Sequence, residues 1–281
     1  FQKMATEVKN REQILDGLVT QRTQELADKN TALSEAQSVI NKELDLARQL
    51  QLAILPEHFP PIKATQGFAR MQPATQMGGD FYDFIALPDG RVAIVMADVS
   101  GKGVTAAFFM AVARTSINAL VRLNPDPAWC LTQANAELCR QNPLDLFVTV
   151  FLGVFDPITG ALSFANGGHN PPLVCDGDEP TVPLKVTGDI ALGIFPDVPY
   201  QADLVVLQPR QTLLCFTDGV TEAFNSKNDA FGDERLATLM SASSGIGPKD
   251  RVDAIFSAVT TFAGDAPQSD DITVAALFWE P

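Results

Sequence analysis

The chain has 281 residues, a formal net charge of −14 and a hydrophobic content of 46%. Its length and apolar content suffice for one sizeable core or two small ones, and its acidic balance argues against nucleic-acid binding. No apolar run approaches the roughly 20 residues of a membrane span, and the four cysteines lack zinc-ligand spacing. We therefore expect a cytoplasmic domain with reduced cysteines and no direct membrane contact. Because the chain begins at Phe1, we also expect it to be a piece of a longer protein.

Residues 1–55 are predicted to form a helical linker domain, since they contain no proline, a single glycine and many helix-favouring residues. A seven-residue repeat aligns one apolar row: Val19, Leu26, Leu33, Ile40, Ala47 and Ile54. The accompanying row is half polar: Leu15, Arg22, Lys29, Ala36, Glu43 and Leu50. The pattern favours a weak coiled coil that joins two copies into a homodimer and follows an upstream sensory or receiver domain. A single helix lying on the following domain is the alternative.

Residues 60–281 are predicted to form a second, globular domain, because Pro56, Pro60 and Pro61 end the helix. The predicted elements in chain order are strands Gly67–Pro73, Asp80–Leu87 and Arg91–Val99, helices at 103–122 and 127–141, strands Phe147–Phe155, Ala161–Ala165, Pro172–Cys175, Val182–Val186, Ala202–Leu207 and Thr212–Thr217, helices at 219–225, 232–242 and 248–263, and strand Ile272–Trp279. Turn-forming residues at 88–90 and 156–160 predict two hairpins. This order indicates an α+β sandwich with the sheets packed centrally.

Four short segments each present an aspartate beside a predicted strand. They are Gly78–Asp83, Ala97–Gly103, Thr217–Gly219 and Ser269–Thr273. Any one of these aspartates is most simply a turn former or a helix N-cap. Strand ends lying side by side would bring the carboxylates together, and hard divalent cations favour oxygen ligands of this kind. The set therefore predicts a magnesium- or manganese-dependent phosphate enzyme.

Two further polar residues have two interpretations each. Gly101 and Gly103 permit a tight turn before a helix, so Lys102 is either a phosphate contact or a surface lysine at a helix start. His169 lies in a Gly-Gly-His-Asn-Pro-Pro segment and either lines the site or bonds the loop backbone. His58 is given no catalytic role.

The segments together resemble the metal-dependent protein phosphatases of the 2C type, in the bacterial branch related to sporulation stage II protein E and the sigma-factor-regulating phosphatases. The resemblance covers about residues 45 to 280. It rests on the four aspartate segments and on Ala47–Gln51, Leu55–Pro56, Asn166–Pro172, Leu192–Gly193 and Thr217–Glu222. It implies an α-β-β-α sandwich of two antiparallel sheets flanked by helices, preceded by the long N-terminal helix.

The resemblance also implies a site that holds two Mn²⁺ or Mg²⁺ ions. Carried over by motif, Asp80 and Asp98 are metal ligands, with Asp98 bridging and the Val99 backbone carbonyl as a further ligand. Asp218 and Asp270 complete the second metal's side, and Asp271 is the less favoured alternative to Asp270. The remaining candidates for lining the site are Gly79, Ser100, Lys102 and His169.

The implied activity is dephosphorylation of a phosphoserine or phosphothreonine protein by a metal-activated water. The implied substrate is a STAS-type anti-sigma-factor antagonist, with regulation through coiled-coil dimerisation. Related eukaryotic enzymes have a histidine where Ser100 stands and an arginine where Gln76 stands, so their proton donor and phosphate clamp are not carried over. The alternatives are a catalytically inactive dimeric scaffold of the same fold and, less favoured by the acidic charge, a metal-dependent nuclease or phosphodiesterase.

Overall fold

The structure is a computed structural model that describes residues 2–176, 179–188, 190–242 and 245–281. The chain divides into two compact units, Phe1–Gln49 and Leu50–Pro281. Residues 2–49 of the first unit lie within helix α1 (Gln2–Ile54), which confirms the predicted helix. Its repeat residues Val19, Leu26 and Leu33 are 61–67% exposed. The coiled coil itself remains a prediction.

The second unit contains the last turn of α1 and every later element. In chain order these are β1 (Thr65–Gln72), β2 (Phe81–Ala86), β3 (Val92–Val99), α2 (Val104–Leu123), α3 (Pro127–Arg140), β4 (Val148–Phe155), β5 (Ala161–Gly167), β6 (Leu173–Asp176), β7 (Glu179–Pro183), β8 (Asp203–Val206), β9 (Thr212–Phe216), α4 (Asp218–Thr221), α5 (Asp233–Ser241), α6 (Pro248–Ala263) and β10 (Ile272–Trp279).

The strands form two five-stranded antiparallel sheets. One has the order β1-β10-β9-β6-β7 and the other the order β2-β3-β4-β5-β8. Helices α2 and α3 contact the second sheet, whereas α5 and α6 contact the first. Apolar strand residues of both sheets, such as Phe81, Phe151 and Leu277, share one buried cluster. The predicted α-β-β-α sandwich is therefore confirmed.

Local sequence explains where several elements begin and turn. The side chain of Asp126 accepts a hydrogen bond from the Trp129 amide at 3.1 Å and Pro127 follows at the first helical position, so α3 has a regular N-cap. Between β2 and β3, Gly90 has φ +90° and the Leu87 amide donates to the Arg91 carbonyl at 2.9 Å. The predicted hairpin at 88–90 is confirmed.

Two predicted elements differ from those in the structure. The helix predicted at 219–225 is only α4, Asp218–Thr221, because the chain turns back and Phe224 pairs with Ala230 in an isolated β-bridge. The strand predicted at Val182–Val186 lies earlier, as β7, where Leu173 of β6 pairs with Pro183. All four cysteines are free, and Cys130, Cys175 and Cys215 are buried as small apolar groups.

Contrary to the expectation that no apolar run approaches a membrane span, helix α2 is by length and composition apolar enough to cross a membrane. In the structure Met110, Ala113, Ile117 and Val121 of this helix are fully buried in the shared core. Its apolar character is explained by packing against the sheet.

Candidate metal centre

The four aspartate segments meet because strands of both sheets begin or end there. Asp80 precedes β2 and Asp98 lies near the end of β3, which pairs with β2 in one sheet. Asp218 follows β9 and Asp270 precedes β10, and these two strands pair in the other sheet. The sandwich thus places segments distant in sequence at one end of the fold.

Asp80 is the most deeply buried carboxylate of the group, with 1% of its surface exposed. Its Oδ2 accepts hydrogen bonds from Thr217 Oγ1 at 2.7 Å and from Thr273 Oγ1 at 2.6 Å. Burial raises the pKa of Asp80 well above its usual value, and the charges of Asp98 and Asp271 raise it further. The two threonines were not among the predicted site residues, although both stand in the quoted motifs.

Asp98 and Asp218 also resist ionisation. Burial, then the charge of Asp218, raises the pKa of Asp98 to about 7, while its hydrogen bond with Asp80 has the opposite effect. Burial, then the charges of Asp270 and Glu222, raises the pKa of Asp218. Repulsion among these neighbouring carboxylates adds to the cost of burying them, and a bound cation would relieve it.

The two neighbouring aspartates before β10 have different roles. Asp271 accepts the backbone amides of Ala74 at 2.8 Å and Gly79 at 2.7 Å, so it fixes the segment that leads into Asp80. Asp270 is 41% exposed at its side chain and forms an ion pair with Lys102 at 3.0 Å. The Asp270 carboxylate thus bonds Lys102 and, at 2.9 Å, the adjacent Asp271 amide, whereas the Asp271 carboxylate is bonded to a loop distant in sequence.

Ser100 fixes the turn that follows Asp98 through two hydrogen bonds to Phe147. Ser100 donates its amide to the Phe147 carbonyl at 2.8 Å and accepts the Phe147 amide on its Oγ at 2.9 Å. Gly101 and Gly103 have φ of +90° and +75°, which only glycine adopts without strain. The side chain of Lys102, between these glycines, reaches the segment before β10 of the other sheet. Its ammonium bonds the Asp270 carboxylate and the Ser269 carbonyl there.

His169 is buried beside the strand that pairs with Asp98, and its contacts include bonds within its own loop, while its Nε2 has no hydrogen-bond partner among the described residues. It is 4% exposed, its Nδ1 lies 2.8 Å from Thr149 Oγ1, and its backbone amide and carbonyl bond the Asn166 side chain. Thr149 is the strand partner of Asp98. Burial lowers the pKa of His169 to about 4, so the imidazole is neutral at pH 7.

Two backbone contacts shape the approach to the aspartates. A Cβ added at Gly79 would lie 2.7 Å from the Val99 carbonyl oxygen, so this carbonyl faces the segment that carries Asp80. The buried side chain of Gln51 bonds both backbone groups of Gly78, at 2.6 Å to the carbonyl and 3.2 Å from the amide. Gln51 belongs to a motif used for the resemblance, but the sequence did not indicate its contact.

Gly219→Ala is expected to destabilise the domain by about 1–3 kcal/mol, because a Cβ there would lie 1.9 Å from the Asp271 carbonyl oxygen and backbone must move. Thermal unfolding monitored by circular dichroism measures the loss. Gly188→Ala is the matched control, since no heavy atom lies within 4 Å of its added Cβ. Equal melting temperatures for the two variants would contradict the close approach.

The donor set fits hard divalent cations, because Asp80, Asp98, Asp218, Asp270 and the Val99 carbonyl offer oxygen alone. Among the described residues, no three acidic, histidine or cysteine side chains already form a ready ligand set. Asp80 is engaged by threonines and Asp270 by Lys102. The structure therefore brings the predicted ligands to one end of the fold without fixing their coordination geometry.

Comparisons with known proteins agree with this fold. The solved PP2C domain of SiaA from Pseudomonas aeruginosa superposes with a TM-score of 0.78 and 27% identity, over 87% of this chain and 99% of that one. Protein IcfG of Synechocystis is 29% identical over 89% of this chain and 44% of its own length. Phosphoserine phosphatase RsbU of Bacillus subtilis is 27% identical over 66% of this chain and 55% of its own. The chain thus spans about half the length of these curated relatives.

The sandwich, with aspartates at its strand ends, has the PP2C-type phosphatase fold. The sequence profile of the stage II sporulation protein E (SpoIIE) family matches residues 88–280, and the chain belongs to this family. Asp98, Asp218 and Asp270 lie inside the matched range, whereas Asp80 precedes it. The predicted family is confirmed.

Proposed function

We propose that this domain hydrolyses phosphoserine or phosphothreonine in a regulatory protein at a site for two Mn²⁺ or Mg²⁺ ions. Asp80, Asp98, the Val99 carbonyl, Asp218 and Asp270 would hold the ions, with Asp98 between them. Bound divalent cations would supply an activated water and neutralise charge on the phosphoryl oxygens. The observation that carries the proposal is the meeting of buried carboxylates from both sheets, whose charges raise one another's pKa.

The chain's own residues set the geometry for this reaction. Thr217 and Thr273 orient Asp80 from the opposite sheet, and Asp271 fixes the loop that leads into it. Ser100 fixes the turn after Asp98. These contacts hold the proposed ligands on rigid elements, as a pre-organised site requires.

The test is Mn²⁺-dependent phosphate release from a phosphoserine protein. We expect Asp98→Ala to abolish release, with a loss of at least about a hundredfold, because Asp98 is proposed to serve both ions. Asp265→Ala removes one exposed carboxylate and is the matched control. Binding of Mn²⁺ without hydrolysis of any phosphoprotein would favour the inactive scaffold, and cleavage of nucleic acid instead would favour a nuclease.

We propose a STAS-type anti-sigma-factor antagonist as the substrate and the cytoplasm as the location. The similarity to RsbU, a protein named as a phosphoserine phosphatase, supports a phosphoserine regulator as the substrate class. Mass spectrometry of proteins that co-purify with the full-length parent tests the identity. The proposal requires a STAS-domain phosphoprotein among them that the domain dephosphorylates.

We further propose that helix α1 pairs with a second copy and transmits the state of an upstream sensory or receiver domain. The exposed apolar repeat on α1 supports this pairing. Leu26→Lys/Leu33→Lys is expected to give a monomer by sedimentation analysis and a changed turnover, because two buried charges would break the seam. Ala27→Lys/Ser34→Lys is the control. It adds the same charge at the same seven-residue spacing, one position further along the helix and outside the apolar row.

A chain beginning near residue 60 gives a second test of this regulation. Its turnover at equal concentration is expected to differ from that of the whole chain, and equal turnover would contradict regulation through the linker. This truncation also removes Gln51 and its bonds to Gly78. The paired lysine variants keep those bonds and therefore separate dimerisation from the local contact.

A further inference from the structure

A cavity of about 150 Å³ lies beside the aspartate cluster, in the second unit. Its wall includes Gly219 and Ala223 from the segment after β9, and Val259 and Thr260 from helix α6. Ser269 contributes from the loop before β10. Thr260 and Ser269 are exposed at the surface, so the cavity opens to solvent.

Two residues that line the cavity are sequence neighbours of proposed metal ligands. Gly219 follows Asp218 directly, and Ser269 precedes Asp270 directly. The Ser269 carbonyl also accepts the hydrogen bond of Lys102. The two loops that carry the second pair of aspartates thus form one side of the cavity.

The cavity has an apolar part and a polar part, although the chain as a whole is strongly acidic. Ala223, Phe224, Val259, Ala263 and Ile272 line the apolar part, and Gln72, Thr260, Gln268 and Ser269 supply the polar groups. All of its lining side chains are uncharged. Val259 and Ala223 are buried at 3% and 7% exposure, whereas Phe224 is 36% exposed and presents part of its ring. A cavity of roughly this volume has room for a benzene ring, so the dimensions suit one aromatic or branched aliphatic side chain packed against the apolar part of the wall.

We propose that this cavity binds an apolar side chain of the phosphorylated polypeptide, close in sequence to its phosphoserine. The inference rests on the proposed function and adds a specificity-determining site to it. A polypeptide whose phosphoserine reaches Asp218 and Asp270 must pass over the loops beside them. An extended chain spans about 3.3–3.6 Å per residue, so the neighbouring cavity lies within reach of a residue a few positions away.

Synthetic phosphoserine peptides test the proposal directly. In a glycine–serine background, a single phenylalanine is moved from four residues before the phosphoserine to four residues after it. The whole chain with Mn²⁺ is expected to prefer one position, with kcat/KM about tenfold above that of the peptide without phenylalanine. The preference is expected chiefly in KM, because the cavity holds the ligand away from the reacting atoms.

Two neighbouring threonines of α6 provide matched variants. Thr260 lines the cavity and donates to the Phe256 carbonyl at 2.8 Å, while Thr261 is exposed outside the lining and donates to the Ser257 carbonyl at 2.7 Å. Thr260→Phe is expected to fill the cavity and abolish the positional preference. Thr261→Phe is the same substitution outside the cavity and is expected to keep the positional preference. Melting curves verify that both variants fold.

The outcomes separate this proposal from the function on which it rests. Equal kcat/KM for all peptide positions, or a preference that survives Thr260→Phe, would overturn the cavity as a specificity site. A change in sedimentation on Thr260→Phe with unchanged peptide preference would assign the cavity to a second copy of the chain instead. If the whole chain hydrolyses neither these peptides nor p-nitrophenyl phosphate with Mn²⁺, the proposed function itself fails.

Discussion

Asp98→Asn is expected to raise the melting temperature of the metal-free chain at pH 8 while it abolishes phosphate release. The carboxylate of Asp98 is destabilised by burial and by the charge of Asp218, which raise its pKa from 3.8 to about 7. A shift of about 3 pKa units corresponds to about 4 kcal/mol as an upper bound. Allowing for relaxation of the neighbouring carboxylates, we expect a gain of about 1–3 kcal/mol, equivalent to at least about 2–4 °C.

The pH dependence of this gain follows from linkage. Because the folded pKa is raised, the folded chain retains a proton that the unfolded chain has lost between pH 4 and pH 7. The stability contributed by protonated Asp98 is therefore fully present below about pH 4 and is lost as the pH rises through about 7. Asparagine stays neutral at every pH, so the gain in stability of Asp98→Asn over the wild type should be largest at pH 8 and vanish near pH 4.

Calorimetry in EDTA at several pH values measures this effect, with Asp265→Asn as the control for an exposed carboxylate. Adding Mn²⁺ at pH 8 is expected to stabilise the wild-type chain and to have a much smaller effect on Asp98→Asn. A variant that melts below the wild type at pH 8 would show that the carboxylate contributes more through its hydrogen bond with Asp80 than it costs through repulsion.

Arg114→Met is expected to destabilise the second unit by about 3–5 kcal/mol, because it leaves the Asp83 carboxylate buried without its cation. Arg114 lies 2.8 Å from Asp83, and the exposed fractions of the two side chains are 18% and 5%. Asn118 donates a further hydrogen bond to Asp83 at 2.9 Å, which replaces only part of the lost interaction. Urea denaturation measures the free energy of unfolding.

Arg122→Met is the matched control on the same helix, since Arg122 is exposed and bonds Asn118 at 2.9 Å. It should cost no more than about 1 kcal/mol. Asp83→Asn/Arg114→Met removes both charges and is expected to recover most of the stability. A loss for Arg114→Met no larger than that for Arg122→Met would show that the pair is not effectively buried.

The sequence predicted the strands well for a physical reason. Strands such as β3, β4 and β10 are nearly continuous apolar runs between turn-forming residues, and these signals are local. The short α4 was overestimated because its end depends on the bridge between Phe224 and Ala230, which no local pattern encodes. The same limit applies to β7, whose position is fixed by pairing with β6.

The contacts around the cluster were less accessible to sequence reasoning. Thr217 and Thr273 stand beside predicted ligands, but their bonds to Asp80 depend on how the two sheets pack. Asp271 and Gln51 act on backbone groups far away in sequence. Such interactions are determined by tertiary structure, so the residue types could be predicted while their partners could not.

The position of β10 within its sheet has a consequence for synthesis of the protein. β10 lies between β1 and β9, and Thr273 on this strand is one of the two residues that hold Asp80. It is also the last described element to leave the ribosome. A nascent chain therefore cannot bring Thr273 to Asp80, or complete the aspartate cluster, while β10 is still in the exit tunnel.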